Sequence, residues 1–113
     1  MITIQDSNKT SVTFPVVGKG ATIFDYHSKY AYEVLSVNST EDEVILKRYL
    51  PTRIDEESPS SENQTYIFKT LGLNHIIVKK INGTWKMENR YTKRWEYIRI
   101  VFGIREEYYG RVA

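Results

Sequence analysis

The stretch Tyr97-Ile98-Arg99-Ile100-Val101-Phe102-Gly103-Ile104 decides the fold class. Ile98, Ile100, Phe102 and Ile104 alternate with Tyr97, Arg99, Val101 and Gly103, a period of two that sorts side chains onto opposite faces of a sheet. Outward from this strand, segments 20–24, 30–37, 43–50, 65–71, 75–81 and 84–87 are rich in Val, Ile, Tyr, Phe and Thr. Each is bounded by Gly, Asn, Asp, Ser or Pro. Asn82-Gly83 sits between two of them, and both positions of a tight type I′ turn need positive φ, so a hairpin is predicted there. Asn38 to Asp42 predicts a second, longer hairpin turn. Helical pattern is scarce: Arg105 to Arg111 could form a turn or two, and Lys86 to Trp95 reads either way. The expectation is a mainly β fold, with α+β as the variant: a small antiparallel, curled sheet of six to seven strands and at most one or two short helices near the C-terminus.

The 113 residues fit a single domain, 1–113, with enough chain for one hydrophobic core. Residues 55–63, Asp-Glu-Glu-Ser-Pro-Ser-Ser-Glu-Asn, contain no apolar side chain and predict a mobile loop. The absence of cysteine excludes disulfides and thiolate chemistry, and a cytoplasmic setting is expected. No run of about 18 apolar residues occurs, so no membrane partner is expected. Four Asn-x-Ser/Thr matches, at Asn8, Asn38, Asn63 and Asn82, read as turn residues rather than glycosylation acceptors.

Charge is unevenly spread. Residues 1–74 carry 7 basic and 10 acidic side chains, whereas residues 75–113 carry 9 basic and 4 acidic. The cationic third also holds Trp85, Trp95 and four of the nine tyrosines, a mixture suited to phosphates and flat bases, or equally to lysine and arginine stems lying over apolar surface.

Catalytic patterns are missing. On an extended segment Asp25 and His27 share one face while Ser28 points to the other, which is no triad. His27 and His75 have no ligand spacing for a metal, and Gly18-Lys19-Gly20 leads into a strand instead of a helix. Neither a catalytic residue nor a metal or other cofactor is predicted. What remains are arginines, whose planar forks match phosphate oxygens: Arg53, Arg90, Arg94, Arg99 and Arg105. Arg53 lies at the lip of the 55–63 loop and Arg105 ends the best strand, positions where sites are commonly built. Arg99 faces away from the isoleucine stripe and reads as a solvent-side residue.

Five landmarks occur in order: Gly20-Ala21-Thr22-Ile23, Ala31-Tyr32-Glu33-Val34, Thr52-Arg53-Ile54-Asp55, Asn82-Gly83-Thr84-Trp85 and Gly103-Ile104-Arg105-Glu106-Glu107-Tyr108-Tyr109. Over residues 18–110 the chain resembles a family of small phage proteins that includes the anti-Thoeris sponges. The resemblance implies an oligomeric protein, a dimer or hexamer, that sequesters a cyclic ADP-ribose signal without degrading it in the host cytoplasm. It also implies ligand contacts from Arg53 and Arg105. Where the family carries an arginine after an aromatic-Ser-Asp sequence, this chain reads Lys29, which keeps the charge and loses the fork. Asn89 corresponds to a family asparagine beyond the Asn-Gly hairpin. The family's aromatic before that hairpin has no counterpart in 74–81, which leaves Trp85 or Tyr91 to stack on a base. The expected function is non-catalytic capture of a cyclic nucleotide immune signal. The rivals are a nucleic-acid-binding module built on the basic aromatic C-terminal third and a protein-binding inhibitor of a host factor.

Overall fold

The computed structural model describes residues 3–4, 14–55 and 64–109. Its elements are strands: β1 (Thr3–Ile4), β2 (Gly20–Asp25), β3 (Ser28–Val37), β4 (Glu43–Arg53), β5 (Tyr66–Ile81), β6 (Thr84–Glu88), β7 (Trp95–Tyr97) and β8 (Arg99–Phe102). They form one antiparallel sheet in the order β7-β6-β5-β4-β3-β2-β8, with β1 pairing β5. The stripe that decided the fold class is split by a bend at Ile98. Its first part pairs with β6 through Lys86↔Tyr97, and its second with β2 through Ile23↔Ile100. One run of chain therefore bonds both ends of the meander and curls the sheet into a nearly closed barrel. Among the described residues none is helical, and none of the described segments could cross a membrane as a helix.

Two turns form for the backbone reasons read above. Asn82 and Gly83 have φ of 52° and 79°, the left-handed pair that a type I′ turn requires. At 38–42 the Asn38 side-chain carbonyl accepts the Asp42 and Glu43 N–H groups, while its amide donates to Asp42 Oδ1 at 2.6 Å. That bond, with one from Thr40 Oγ1, holds the Asp42 carboxyl below its usual pKa.

Two buried clusters occupy opposite faces of the sheet. Inside the barrel lie Ala21, Ile23, Val34, Val44, Leu46, Val78 and Phe102, with Trp85 packed edge-on against Phe102 at 5.2 Å between ring centres. Burying a side chain the size of Leu46 or Val78 stabilises by about 1.5–3 kcal/mol. On the outer face Ala31, Tyr49, Tyr66 and Phe68 form the second cluster.

β5 runs on through 72–74, where turn-forming residues predict a break between two shorter segments. Register shifts accommodate it: between the Lys47↔His75 and Tyr49↔Leu71 pairs, three residues of β5, 72–74, lie opposite the single residue Arg48 of β4. There β4 swings away from β3, and the C-terminal segment fills the opening.

That segment is where expectation and structure part. Residues 105–109 of the predicted helical turn are extended, and 110–111 lie outside the described residues. The cause is that these residues find partners in the sheet and not in one another. Tyr108 exchanges backbone hydrogen bonds with Lys29 at 2.8 and 3.0 Å. Thr22 Oγ1, fully buried, donates to the Ile104 carbonyl at 2.7 Å and accepts the Glu106 N–H at 3.0 Å. The Gln64 amide donates to the Tyr109 carbonyl and accepts the Tyr109 N–H. Residues 104–109 thus form a strap over the second cluster. Of the predicted mobile loop, 56–63 lie outside the described residues, whereas Asp55 is pinned by Arg53 and by the Thr65 N–H at 2.7 Å.

Candidate functional site

At the parting of β3 and β4 the Glu107 carboxylate, 1% exposed, accepts the Ala31 N–H at 2.9 Å and both ends of the Arg48 guanidinium at 2.8 and 2.6 Å. Arg48 Nη1 also donates to the Ala31 and Tyr49 carbonyls, both at 3.1 Å. The ion pair thereby replaces the backbone rung that β3 and β4 would otherwise share. Burial opposes the Arg48 charge, but hydrogen bonding and attraction to Glu107 outweigh it and hold its pKa above the usual value.

Arg48 also lies over the rings of Tyr30 and Tyr32, at 5.3 and 5.7 Å. These two tyrosines, on β3, line a cleft of about 680 Å³ at the mouth of the barrel. Its other aromatic residues are Phe24, Tyr26 and Tyr97, with Ile98 and Met87 beneath and Arg99 at the rim. Strand pairing explains the arrangement. Ile23↔Tyr30 and Ala21↔Tyr32 put the tyrosines on the barrel-facing side, and Phe24↔Arg99 puts the guanidinium 4.5 Å from the Phe24 ring. Lys29 Nζ lies over the same ring at 5.6 Å, so one aromatic carries two cations. Tyr26, at φ 39° in the β2–β3 turn, is 99% exposed.

The sequence-derived candidates occupy four different places. Arg53 and Arg105 lie along the second cluster. Arg53 Nε meets both Asp55 oxygens, at 2.9 and 2.8 Å, and Arg105 lies 5.6 Å from the Tyr49 ring centre. The Tyr49 hydroxyl in turn donates to Glu33 at 3.1 Å; burial, opposed by the Arg105 charge and reinforced by Glu33, pushes its pKa up to about 12. Lys29 lies between the Phe24 ring and the strap, with its ammonium on Glu106 at 2.8 Å. Asn89 and Tyr91 line a separate cleft beside β5, and the ring of Trp85 packs into the core. Asp25 and His27 sit exposed at the β2–β3 turn, and His75 is exposed on β5.

Sequence reasoning missed Phe24, Tyr26, Tyr30, Tyr32, Tyr97 and Arg99 as a group. The Asp25–Ser28 turn was the available signal, because it pairs Phe24 with Lys29 and Ile23 with Tyr30. The β2–β8 pairing that adds Arg99 bridges some 75 residues of chain, and local pattern does not encode it.

Chemically, the mouth presents π faces for flat rings and one lining cation, Arg99, beside the exposed carboxylate of Asp25, while Lys29, outside the lining, is ion-paired with Glu106. Comparison of the chain with protein-family models, with curated proteins and with solved structures finds no match.

Proposed function

We propose that the protein is a non-catalytic binder that captures a small nucleotide signal, of the cyclic ADP-ribose or cyclic oligonucleotide class, at the barrel mouth. The observation that carries this reading is an aromatic cleft with a guanidinium at its rim: bases stack on Tyr26, Tyr30 and Tyr97 while phosphates meet Arg99, and Lys29, ion-paired with Glu106 over the Phe24 ring, adds charge nearby. The resemblance of the five sequence landmarks to the phage sponges supports the same ligand class and the inhibition of anti-phage defence by sequestration.

Capture that starves a receptor needs roughly nanomolar affinity, about −12 kcal/mol, and that favours an enclosed ligand. The mouth is an open cleft in one chain, so a symmetric dimer or hexamer in which a second copy closes it belongs to the proposal. In such an assembly Arg53 and Arg105 of the neighbouring copy are the groups proposed to complete the phosphate site.

The test is a thermal-shift screen against cyclic ADP-ribose isomers and cyclic oligonucleotides, followed by mass analysis of ligand released from heat-denatured protein. A ligand at 100 times its dissociation constant should add about 2.7 kcal/mol of stability and be recovered unchanged. Tyr30→Ala should weaken binding by about 1–3 kcal/mol, the usual loss for one stacked base. A flat response across the panel, or chemically altered ligand, would refute the proposal.

A further inference from the structure

The second cleft, of about 720 Å³, lies on the opposite side of β6 and shares only Met87 with the barrel mouth. It runs between the 75–79 part of β5 and the turn joining β6 to β7. That turn is firmly built. The Asn89 side-chain carbonyl accepts the Tyr91 and Thr92 N–H groups at 2.9 and 3.1 Å, its amide donates to Glu96, and the Lys93 N–H returns to the Asn89 carbonyl. Asn89, a ligand candidate in the sequence reading, is thus the cap that shapes the turn. The same turn holds Tyr91 88% exposed beside Arg90 and Lys93. An aromatic ring fixed in water on an ordered turn gains nothing for the fold.

The sheet beneath adds a second such feature. Lys79 on β5 lies directly across from Lys86 on β6, and like charges in that register repel. Lys79 also lies 4.9 Å from the Trp95 ring centre, and its nearest carboxylate, Glu43, is 3.9 Å away with both side chains 42% exposed. So weak and solvated a pair offsets little of the repulsion. An anion on this face removes it. Lys79, Arg90 and Lys93 line the cleft with the carboxylates of Glu43 and Glu88, and Lys86 extends the cations past it, where a mononucleotide site would draw them to one point. A row of charge beside two separated aromatic rings matches a polyanion with repeating flat groups.

We infer that this face docks single-stranded nucleic acid, with phosphates on Lys79, Lys86, Arg90 and Lys93 and bases stacked on Tyr91 and Trp95. It is distinct from the proposed nucleotide site and does not depend on it. Specificity for sequence is not expected, because stacking and backbone charge read no base edges.

The test is fluorescence anisotropy with labelled single-stranded DNA and RNA of about 12 nucleotides, titrated at several salt concentrations. Expected are binding that weakens with salt and a log-log slope reduced by roughly 1.4 in Lys79→Ala/Lys86→Ala, because two phosphates then go unneutralised. Trp95→Ala should bind roughly tenfold more weakly. In Trp95→Phe, where Trp85 in the core is the remaining indole, strand-induced quenching of tryptophan fluorescence should vanish while binding persists. Lys19→Ala, on an exposed residue before β2, should change nothing. The inference is overturned by any of three results: no binding at low salt, the lysine pair or Trp95 proving dispensable, or a free mononucleotide competing as well as the strand does.

Discussion

Glu107 shows how much one residue can decide. Its carboxylate joins the strap, the β3 edge at Ala31 and the β4 arginine, and removing it would leave the Arg48 guanidinium partly buried without its counter-charge. Glu107→Ala should therefore lower the unfolding free energy by about 3 kcal/mol in chemical denaturation, with Arg48→Ala comparably harmful. A double variant to well-packed apolar residues should recover much of that loss, because no lone charge then remains. Gly20 makes a second sharp case: a Cβ there would lie 2.8 Å from the Arg105 Cβ and 3.0 Å from its backbone nitrogen. Backbone cannot yield as a side-chain tip can, so Gly20→Ala should destabilise by about 1–3 kcal/mol and shift the strap measurably in amide exchange. The sequence marked Arg105 as a residue of interest, yet neither its close approach to Gly20 nor the Arg48–Glu107 pair was legible there. Arg48 and Glu107 are 59 residues apart, beyond the reach of local pattern.

At the scale of elements, the hairpins obeyed local rules and the C-terminal segment did not. Asn82-Gly83 and Asn38–Asp42 fold as their residue types dictate, because turn geometry is fixed by φ and by side-chain bonds within a few residues. Gly83→Val should cost about 1–2 kcal/mol, since a β-branched side chain resists φ of 79°. Its effect should be confined to β5–β6 in hydrogen exchange. The strap, in contrast, carries helix-compatible residues in Arg105-Glu106-Glu107 but is extended by Thr22, Lys29, Ala31 and Gln64. Ending the chain after Gly103 removes the strap, with Ile104, Glu107 and Tyr109, that covers the second cluster. Circular dichroism of that truncated chain should show a loss of cooperativity, and exchange protection at Tyr49, Tyr66 and Phe68 should fall first.

For the whole molecule, tyrosine burial sets the response to alkali. Burial raises the pKa of Tyr32, Tyr49, Tyr66 and Tyr109, and Glu107 pushes Tyr109 further in the same direction. A folded-state pKa above the unfolded value near 10 leaves stability intact below pH 10. It is then lost as pH rises through the raised values, because only the unfolded chain gives up those protons readily. Tyrosinate absorbance from Tyr32, Tyr49, Tyr66 and Tyr109 should accordingly be delayed beyond the ordinary range near pH 10, with Tyr49 ionising at about 12, and should rise together with unfolding. A single early rise would contradict the burial described. The sequence by itself determined that the chain is mainly strand, where the tight turns fall and which face of 97–102 is apolar, because alternation and turn chemistry act over a few residues. Only the tertiary structure decided that the sheet nearly closes through the bend at Ile98, and that Arg99 and Lys29 meet on Phe24. It also decided that Glu107 replaces a rung between β3 and β4. These contacts join residues far apart in sequence, and their free energy exists only once the sheet has curled and brought them within reach.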